Sequence, residues 1–308
     1  MIDTSLTVRT ALSKAIVRLH LAHTDAPRTT AQLLLASLLN QPKEWLIAHD
    51  DEALTIDVLT RYERQLARVA AHEPLAYILG HREFYGLDFM VDKRVLIPRP
   101  ETEMLVELTL AALKPLVASP PHLPTPLSHS PLAIDIGTGS GAIPVSLAKT
   151  QPDLYLIATD VSPDALAVAQ LNAQKHGVAE RIVFQQRNLL DQIDPSQLKE
   201  VRVLTANLPY VTREEIDDLQ PEILDHEPRV ALDGGDDGLD LIRRLLTQIR
   251  DLRARGELPR LSAAFLEFGA SQGPTVLATA QQIFPNTECA ILRDLAKLDR
   301  VLVVRLEP

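Results

Sequence analysis

The chain has 308 residues, 46% of them hydrophobic, one cysteine and a formal net charge of −10. That length allows about two domains with full cores, and a single cysteine, Cys289, excludes an intramolecular disulfide. No apolar run approaches the roughly 18 residues of a membrane span and no basic-then-apolar leader opens the chain, so a cytoplasmic protein is expected.

Residues 1–75 read as a bundle of four or five helices. Leu12, Ile16, Leu19 and then Leu33, Leu34, Leu38 recur at helical spacing, and Asp25-Ala26-Pro27 stops one helix and starts the next. Residues 76–98 change character. Tyr77-Ile78-Leu79-Gly80 and the run Glu83 to Phe89 read as short strands with glycine turns, a β-hairpin between domains. The prolines of Ile97-Pro98-Arg99-Pro100 end the extended run, and 102–113 reads as a helix, with Glu103 as a first-turn acid favoured by the helix dipole. Residues 115–131 are proline-rich and polar and read as an exposed connection, with His122 and His129 solvated.

From residue 132 apolar runs and helical patterns alternate. Runs at 132–136, 154–159, 182–184, 201–206 and 261–268 read as strands, with helices at 143–150, 163–176 and around 239–253. The alternation predicts a mostly parallel sheet with helices on both faces. The last two runs, 288–292 and 300–306, are joined by a short connection and predict an antiparallel pair at one edge. Cys289 falls in the first of these and reads as a core residue.

Two segments carry chemistry. In Asp135-Ile136-Gly137-Thr138-Gly139-Ser140-Gly141, glycines follow the first strand and open its helix, so a ligand can approach backbone N–H groups closely. A dinucleotide site competes, but the spacing is G-x-G-x-G and a carboxylate precedes it, which suits a cationic ligand with an adenosine tail better than a pyrophosphate. Asp160 closes the second strand, where an acid can accept both ribose hydroxyls. It also reads as part of a helix cap with Ser162. Asn188, after the third strand, reads as either an adenine contact or a turn residue.

The second segment is Asn207-Leu208-Pro209-Tyr210, at the end of a strand. Asn207 Oδ1 can accept one N–H and the Leu208 carbonyl another, because Pro209 biases Leu208 toward extended backbone and removes the next donor. Tyr210 can stack on a planar group. The set suits a flat, weakly nucleophilic –NH2, and it also suits a plain strand-to-loop turn. Asp236 and Asp237 lie in a glycine-rich loop without further ligands at calcium spacing.

Six segments together carry a resemblance: PLAYILGHREFYGLDF (74–89), VLIPRPETEMLVE (95–107), DIGTGSGAI (135–143), NLPYV (207–211), EPRVALDGGDDGLD (227–240) and LRDLAKLDRVLVV (292–304). With them the chain resembles the release-factor glutamine methyltransferases of the HemK/PrmC type over nearly its whole length. The resemblance implies a Rossmann-like class I methyltransferase sheet, mostly parallel with an antiparallel last strand, preceded by a small helical bundle and a β-hairpin linker. The implied domains are 1–75 for substrate recognition, 76–98 as linker and 99–308 for catalysis.

It implies methyl transfer from S-adenosyl-L-methionine to the side-chain amide nitrogen of the GGQ glutamine of peptide-chain release factors, leaving S-adenosyl-L-homocysteine. Asp135, Gly137, Thr138, Gly139, Ser140, Gly141, Asp160, Asn188, Leu189 and Asn207 would hold the cofactor; Asn207, Leu208, Pro209 and Tyr210 would hold the glutamine, with no metal. Leu208 stands where the family usually has proline, and Leu189 where it often has an aromatic residue. A methyltransferase acting on an exocyclic amino group of adenine or guanine in nucleic acid would use the same grip. The acidic balance of the chain, which falls almost entirely after residue 75, disfavours direct nucleic-acid binding. A non-catalytic cofactor sensor and a dinucleotide-dependent oxidoreductase are the other competing classes.

Overall fold

The chain is described by a computed structural model over residues 6–117 and 132–306. It divides into two units. One holds the described residues up to His81 together with Gln220–His226, and the other holds Arg82–Leu219 and the described residues from Glu227 onward.

The first unit contains α1 (Val8–Leu21), α2 (Pro27–Leu39), α3 (Trp45–Ala48), α4 (Ile56–Ala70) and α5 (Leu75–Leu79). Thr7 caps α1 and Thr55 caps α4 through their hydroxyls. The buried stripe of α1 is Val8, Ala11, Ala15 and Leu19, which packs with Leu34, Leu35, Leu46, Tyr62 and Leu66. Small alanines on that stripe let α2 and α4 approach, while Leu12 and Ile16 sit only at its margin. The Tyr62 hydroxyl, inside this core, donates to the Ala31 carbonyl at 2.9 Å. Tyr77–Gly80 is not a strand: it lies in α5, entered at Pro74 and closed by Gly80 at φ 80°. Four apolar residues cannot distinguish strand from helix by periodicity, and the flanking proline and glycine are helix-terminus signals.

A hairpin follows, β1 (His81–Phe84) and β2 (Leu87–Met90), of which all but His81 belongs to the second unit; it turns at Tyr85-Gly86 with both φ positive (52° and 71°), as a type I′ turn requires. A 3₁₀ turn, Pro100–Thr102, leads into α6 (Glu103–Val117). Glu103 sits in the first turn of α6, and its carboxylate accepts from the Tyr85 amide at 2.9 Å. Then follow β3 (Ala133–Ile136), α7 (Ala142–Thr150), β4 (Leu156–Asp160), α8 (Pro163–Lys175), β5 (Ile182–Gln186), α9 (Pro195–Leu198), β6 (Val203–Asn207) and α10 (Arg213–Ile216). The short α11 (Pro221–Leu224) belongs to the first unit, where Glu222 meets His72 Nδ1 at 2.8 Å. The chain continues through α12 (Asp240–Ala254), β7 (Ala263–Glu267), α13 (Gly273–Ile283), β8 (Glu288–Arg293) and β9 (Asp299–Arg305).

Seven strands form one sheet in the order β5-β4-β3-β6-β7-β9-β8. β3 to β7 pair in parallel, and β9 pairs antiparallel with both β7 and β8, so the expected antiparallel pair stands at one edge. Ile134, Ile136, Leu204, Ala206 and Leu266 face a core shared with α12 and α13. Ala133, Val203 and Phe265, one residue out of step, face a core shared with α6, α7 and α8. α13 has no counterpart in the sequence reading, although Pro274 in its first turn and the buried Val276 and Ala280 at helical spacing announce it.

Asn172 on α8 is fully buried and ties three pieces together. Its Oδ1 accepts from the Met90 amide at 2.7 Å, and its Nδ2 donates to the carbonyls of Met90 and Ser140 at 2.9 Å each. It thus fixes both the hairpin and the glycine loop to α8. Asn172→Ala is expected to lower unfolding free energy by about 2–4 kcal/mol, since buried backbone groups lose their partners. Urea denaturation checks this, and an effect near zero would contradict the clamp.

Candidate active site

The glycine loop lies across the carboxyl ends of β3 and β4, the edge where open α/β sheets hold ligands. The Gly137 and Thr138 amides both donate to the Thr159 carbonyl at 2.9 Å, and the Gly139 amide donates to Asp160 Oδ2 at 2.9 Å. The other Asp160 oxygen accepts from the Ser162 amide at 2.9 Å, and Ser162 caps α8. Asp160 therefore anchors the loop and also lines the cleft below it. Burial pushes its carboxyl above the usual range, and three backbone amides oppose that shift. A Cβ added at Gly139 would meet nothing within 4 Å, so the loop leaves room above itself.

Strand parity sets the other half of the site. Asn207 shares the face of Val203 and Thr205 on β6, the face toward α6. There its Nδ2 donates to Thr102 Oγ1 at 3.0 Å, and the Thr102 hydroxyl donates to Glu267 Oε2 at 2.8 Å. Glu267 is the register partner of Asn207 on β7. With Nδ2 committed to Thr102, Asn207 Oδ1 is the end left to face the cavity. Glu267 is fully buried and is raised to about 7, first by burial, against the Thr102 hydrogen bond.

Both halves open on one cleft of about 930 Å³, lined by Gly137 to Ser140, Asp160, Asn188, Leu189, Thr102 and Asn207 to Pro209. Three residues expected at the ligand do not line it. Gly141 packs on α8, where an added Cβ would stand 3.0 Å from the Cβ of Ala169. Asp135 points between strands toward the α6 side and is buried, its Oδ1 accepting from Thr205 Oγ1 at 2.8 Å. Tyr210 is not in the cleft lining: its ring lies by Gly269, where an added Cβ would stand 3.3 Å from Tyr210 Cδ2, and Gln272 Nε2 donates to its carbonyl at 2.9 Å. There its phenol is raised to about 12 by burial and by the nearby Glu267.

Thr102, Glu267 and Gln272 were not legible as site residues, because their parts depend on contacts across distant strands. Gly234 stands in the EPRVALDGGDDGLD segment. A Cβ there would fall 2.7 Å from the Pro209 carbonyl and the Tyr210 Cα, so its loop lies directly on the Asn207-to-Tyr210 backbone. Arg99 lines the cleft, held by buried Glu227 at 2.6 Å. Asp236 and Asp237 are ion-paired with Arg213 and Arg243. Among the described residues no group of three or more metal-ligating side chains gathers, and no helix is long and apolar enough to cross a membrane.

A mostly parallel sheet of this order, with a glycine loop after β3 and an acid ending β4, is a Rossmann-like fold with the loop and acid at its ligand edge, as in class I methyltransferases. In agreement, residues 120–236 match the model of the methyltransferase small domain, and residues 10–80 match that of the PrmC N-terminal domain. The chain is 38% identical to the release factor glutamine methyltransferase of Moorella thermoacetica over 96% of this chain and 97% of that one. It is 35% identical to that of Nitratidesulfovibrio vulgaris over 97% and 95%. Among solved structures it is similar to the hMettl16 catalytic domain in complex with MAT2A 3'UTR hairpin 6. The TM-score there is 0.53 at 14% identity, over 84% of this chain and 86% of that one, a likeness of fold alone. The chain belongs to the release factor glutamine methyltransferase family.

Burial raises Asp135 to about 6 from 3.8. A carboxyl raised in the folded state favours folding below its unfolded value, and that contribution is lost as pH rises through the folded one. Relative to Asp135→Asn, the native protein should therefore lose about 1–3 kcal/mol of stability between pH 4 and pH 6–7. Denaturant titrations of both proteins across that range check it; parallel pH dependences would contradict it.

Proposed function

We propose that this protein methylates the side-chain amide nitrogen of the glutamine in the GGQ motif of peptide-chain release factors, with S-adenosyl-L-methionine as methyl donor. One observation carries the reading: Thr102 holds Asn207 by its Nδ2, so an amide oxygen faces the same cleft as the glycine loop and Asp160. The names of its relatives support the substrate. Release factors are then its protein partners, and the cytoplasm is where it meets them.

The residues present fit the donor. Thr138 and the loop glycines Gly137 and Gly139 stand in the cleft wall, and Asp135 is buried behind them against Thr138 and Thr205. The loop amides and the Thr138 side chain suit an amino-acid group, while Asp160 suits ribose hydroxyls. Asn188 and Leu189 would flank the base. When bound, S-adenosyl-L-methionine supplies an electrophilic methyl group on a sulfonium and leaves as S-adenosyl-L-homocysteine.

The protein's own part is positioning. A primary amide nitrogen is a poor nucleophile, and no strong base stands beside Asn207. Asn207 Oδ1 and the Leu208 carbonyl accept the two amide hydrogens, which fixes the nitrogen toward the donor and favours the positive charge that develops on it. Pro209 restrains Leu208. Recognition of the release factor outside its GGQ loop is assigned to residues 1–75, with 76–98 as linker and 99–308 as the catalytic part.

Asn207→Ala should reduce turnover at least a hundredfold, on the scale of losing a preorganised dipole, with cofactor affinity within a few-fold of normal. Labelled-cofactor transfer to release factor with the modified residue mapped, alongside equilibrium cofactor binding, measures both. Transfer to RNA or DNA under the same conditions, or near-normal turnover by the variant, would contradict the reading. Leu208→Pro should stay within about tenfold of normal turnover, since the carbonyl is kept. It should cost stability, because the Leu208 side chain is buried in the core beside α12.

A further inference from the structure

We infer that Thr102 and Glu267 are positioning residues: the Glu267 carboxylate, acting through the Thr102 hydroxyl, sets which end of the Asn207 amide faces the cleft. The inference rests on the proposed acceptor role of Asn207 Oδ1. A carboxylate accepts hydrogen bonds only, and a threonine hydroxyl has one hydrogen to give. With Glu267 ionised, that hydrogen goes to Glu267 Oε2 at 2.8 Å, and the lone pairs of Oγ1 are left for an N–H donor. Asn207 Nδ2 is that donor at 3.0 Å, so Oδ1 is turned outward.

A proton taken up from solvent by Glu267 reverses the chain. The protonated carboxyl then donates to Thr102 Oγ1, and the freed hydroxyl donates to an acceptor. Asn207 meets it by turning Oδ1 inward, which leaves Nδ2 facing the cleft. Two amino groups then face each other, and the substrate amide loses its acceptor.

The geometry makes this polarity hard to escape. Thr102 is 5% exposed and Glu267 1%, so water does not compete for the pair. The charged and titratable groups facing Glu267 are Arg300 from β9, Arg99 and Glu101 from the turn before α6, and Tyr210 from the loop after β6. The two arginines favour the ionised form, whereas Glu101 and above all burial oppose it. Their balance leaves Glu267 at about 7, so its proton comes and goes near neutral pH.

The test reads the Asn207 amide in the intact protein. Its side-chain NH2 resonances, assigned against Asn207→Ala, are followed from pH 5.5 to 8.5, a range on the order of the carboxyl's span. In the native protein they should shift through neutrality, and Thr102→Ser should keep the shift. Glu267→Gln and Thr102→Val should abolish it. Methyl transfer to release factor should rise with pH along the same curve in the native protein. In Glu267→Gln, whose amide oxygen can still accept the Thr102 hydroxyl, the rate should lose its pH dependence, and in Thr102→Val it should be flat and roughly tenfold lower, the size of one ordering hydrogen bond, with cofactor KM unchanged.

A native Asn207 amide that ignores pH, the same shift in Glu267→Gln, or a native rate and profile in Thr102→Val would overturn the inference. Titration of the amide as described, with no transfer to release factor by the native protein, would uphold the relay and overturn the substrate reading instead.

Discussion

The period-two alternation of β6 is the constraint on which the site depends. It sends Val203, Thr205 and Asn207 toward α6 and Leu204, Ala206 and Leu208 toward the opposite core. Asn207 and Leu208 therefore leave the strand on opposite sides. The asparagine reaches Thr102 at the start of α6, while the leucine is anchored among apolar side chains beside the glycine loop. An added Cβ at Gly137 would stand 3.1 Å from Leu208 Cδ2. One strand end thereby spaces the amide grip from the loop, and a one-residue slip of register would exchange the two roles.

The same parity concentrates carboxyl groups on the α6 side. Asp135 meets Thr205, and Glu267 meets Thr102, each through a threonine hydroxyl rather than a cation. Burying carboxyls with such weak partners works against stability at neutral pH, and both are raised accordingly. A fold needs no such arrangement for its own sake; groups of this kind gather where a site requires poised donors and acceptors. Glu227 differs, since it is paired directly with Arg99 and accepts from the Ile97 amide at 3.3 Å. That pair fixes the segment before Thr102 to the loop that carries Gly234.

Much of this was legible in the sequence. The alternation after residue 132 reads as a parallel sheet because continuous apolar runs of strand length recur between helical patterns. The glycine loop, Asp160 and Asn207 read as ligand-facing because each stands just past a strand. Tyr77–Gly80 misled because a four-residue apolar run carries no period. Asp135 and Gly141 lie inside a recognisable motif yet face the core, since a motif records residue types and not which way each side chain turns. Thr102 and Glu267 lie far apart along the chain and meet only through the β6–β7 register and the entry angle of α6. Their joint part could not be read before the fold was known.

The central claim is that Asn207 presents an oxygen, and Leu208 a carbonyl, to a glutamine amide. A crystal structure of the protein with S-adenosyl-L-homocysteine and a GGQ peptide tests it most directly. The account predicts the glutamine nitrogen about 3 Å from both Asn207 Oδ1 and the Leu208 carbonyl oxygen, with Asn207 Nδ2 still on Thr102. A glutamine amide held by other groups, with Asn207 turned away from it, would contradict the account.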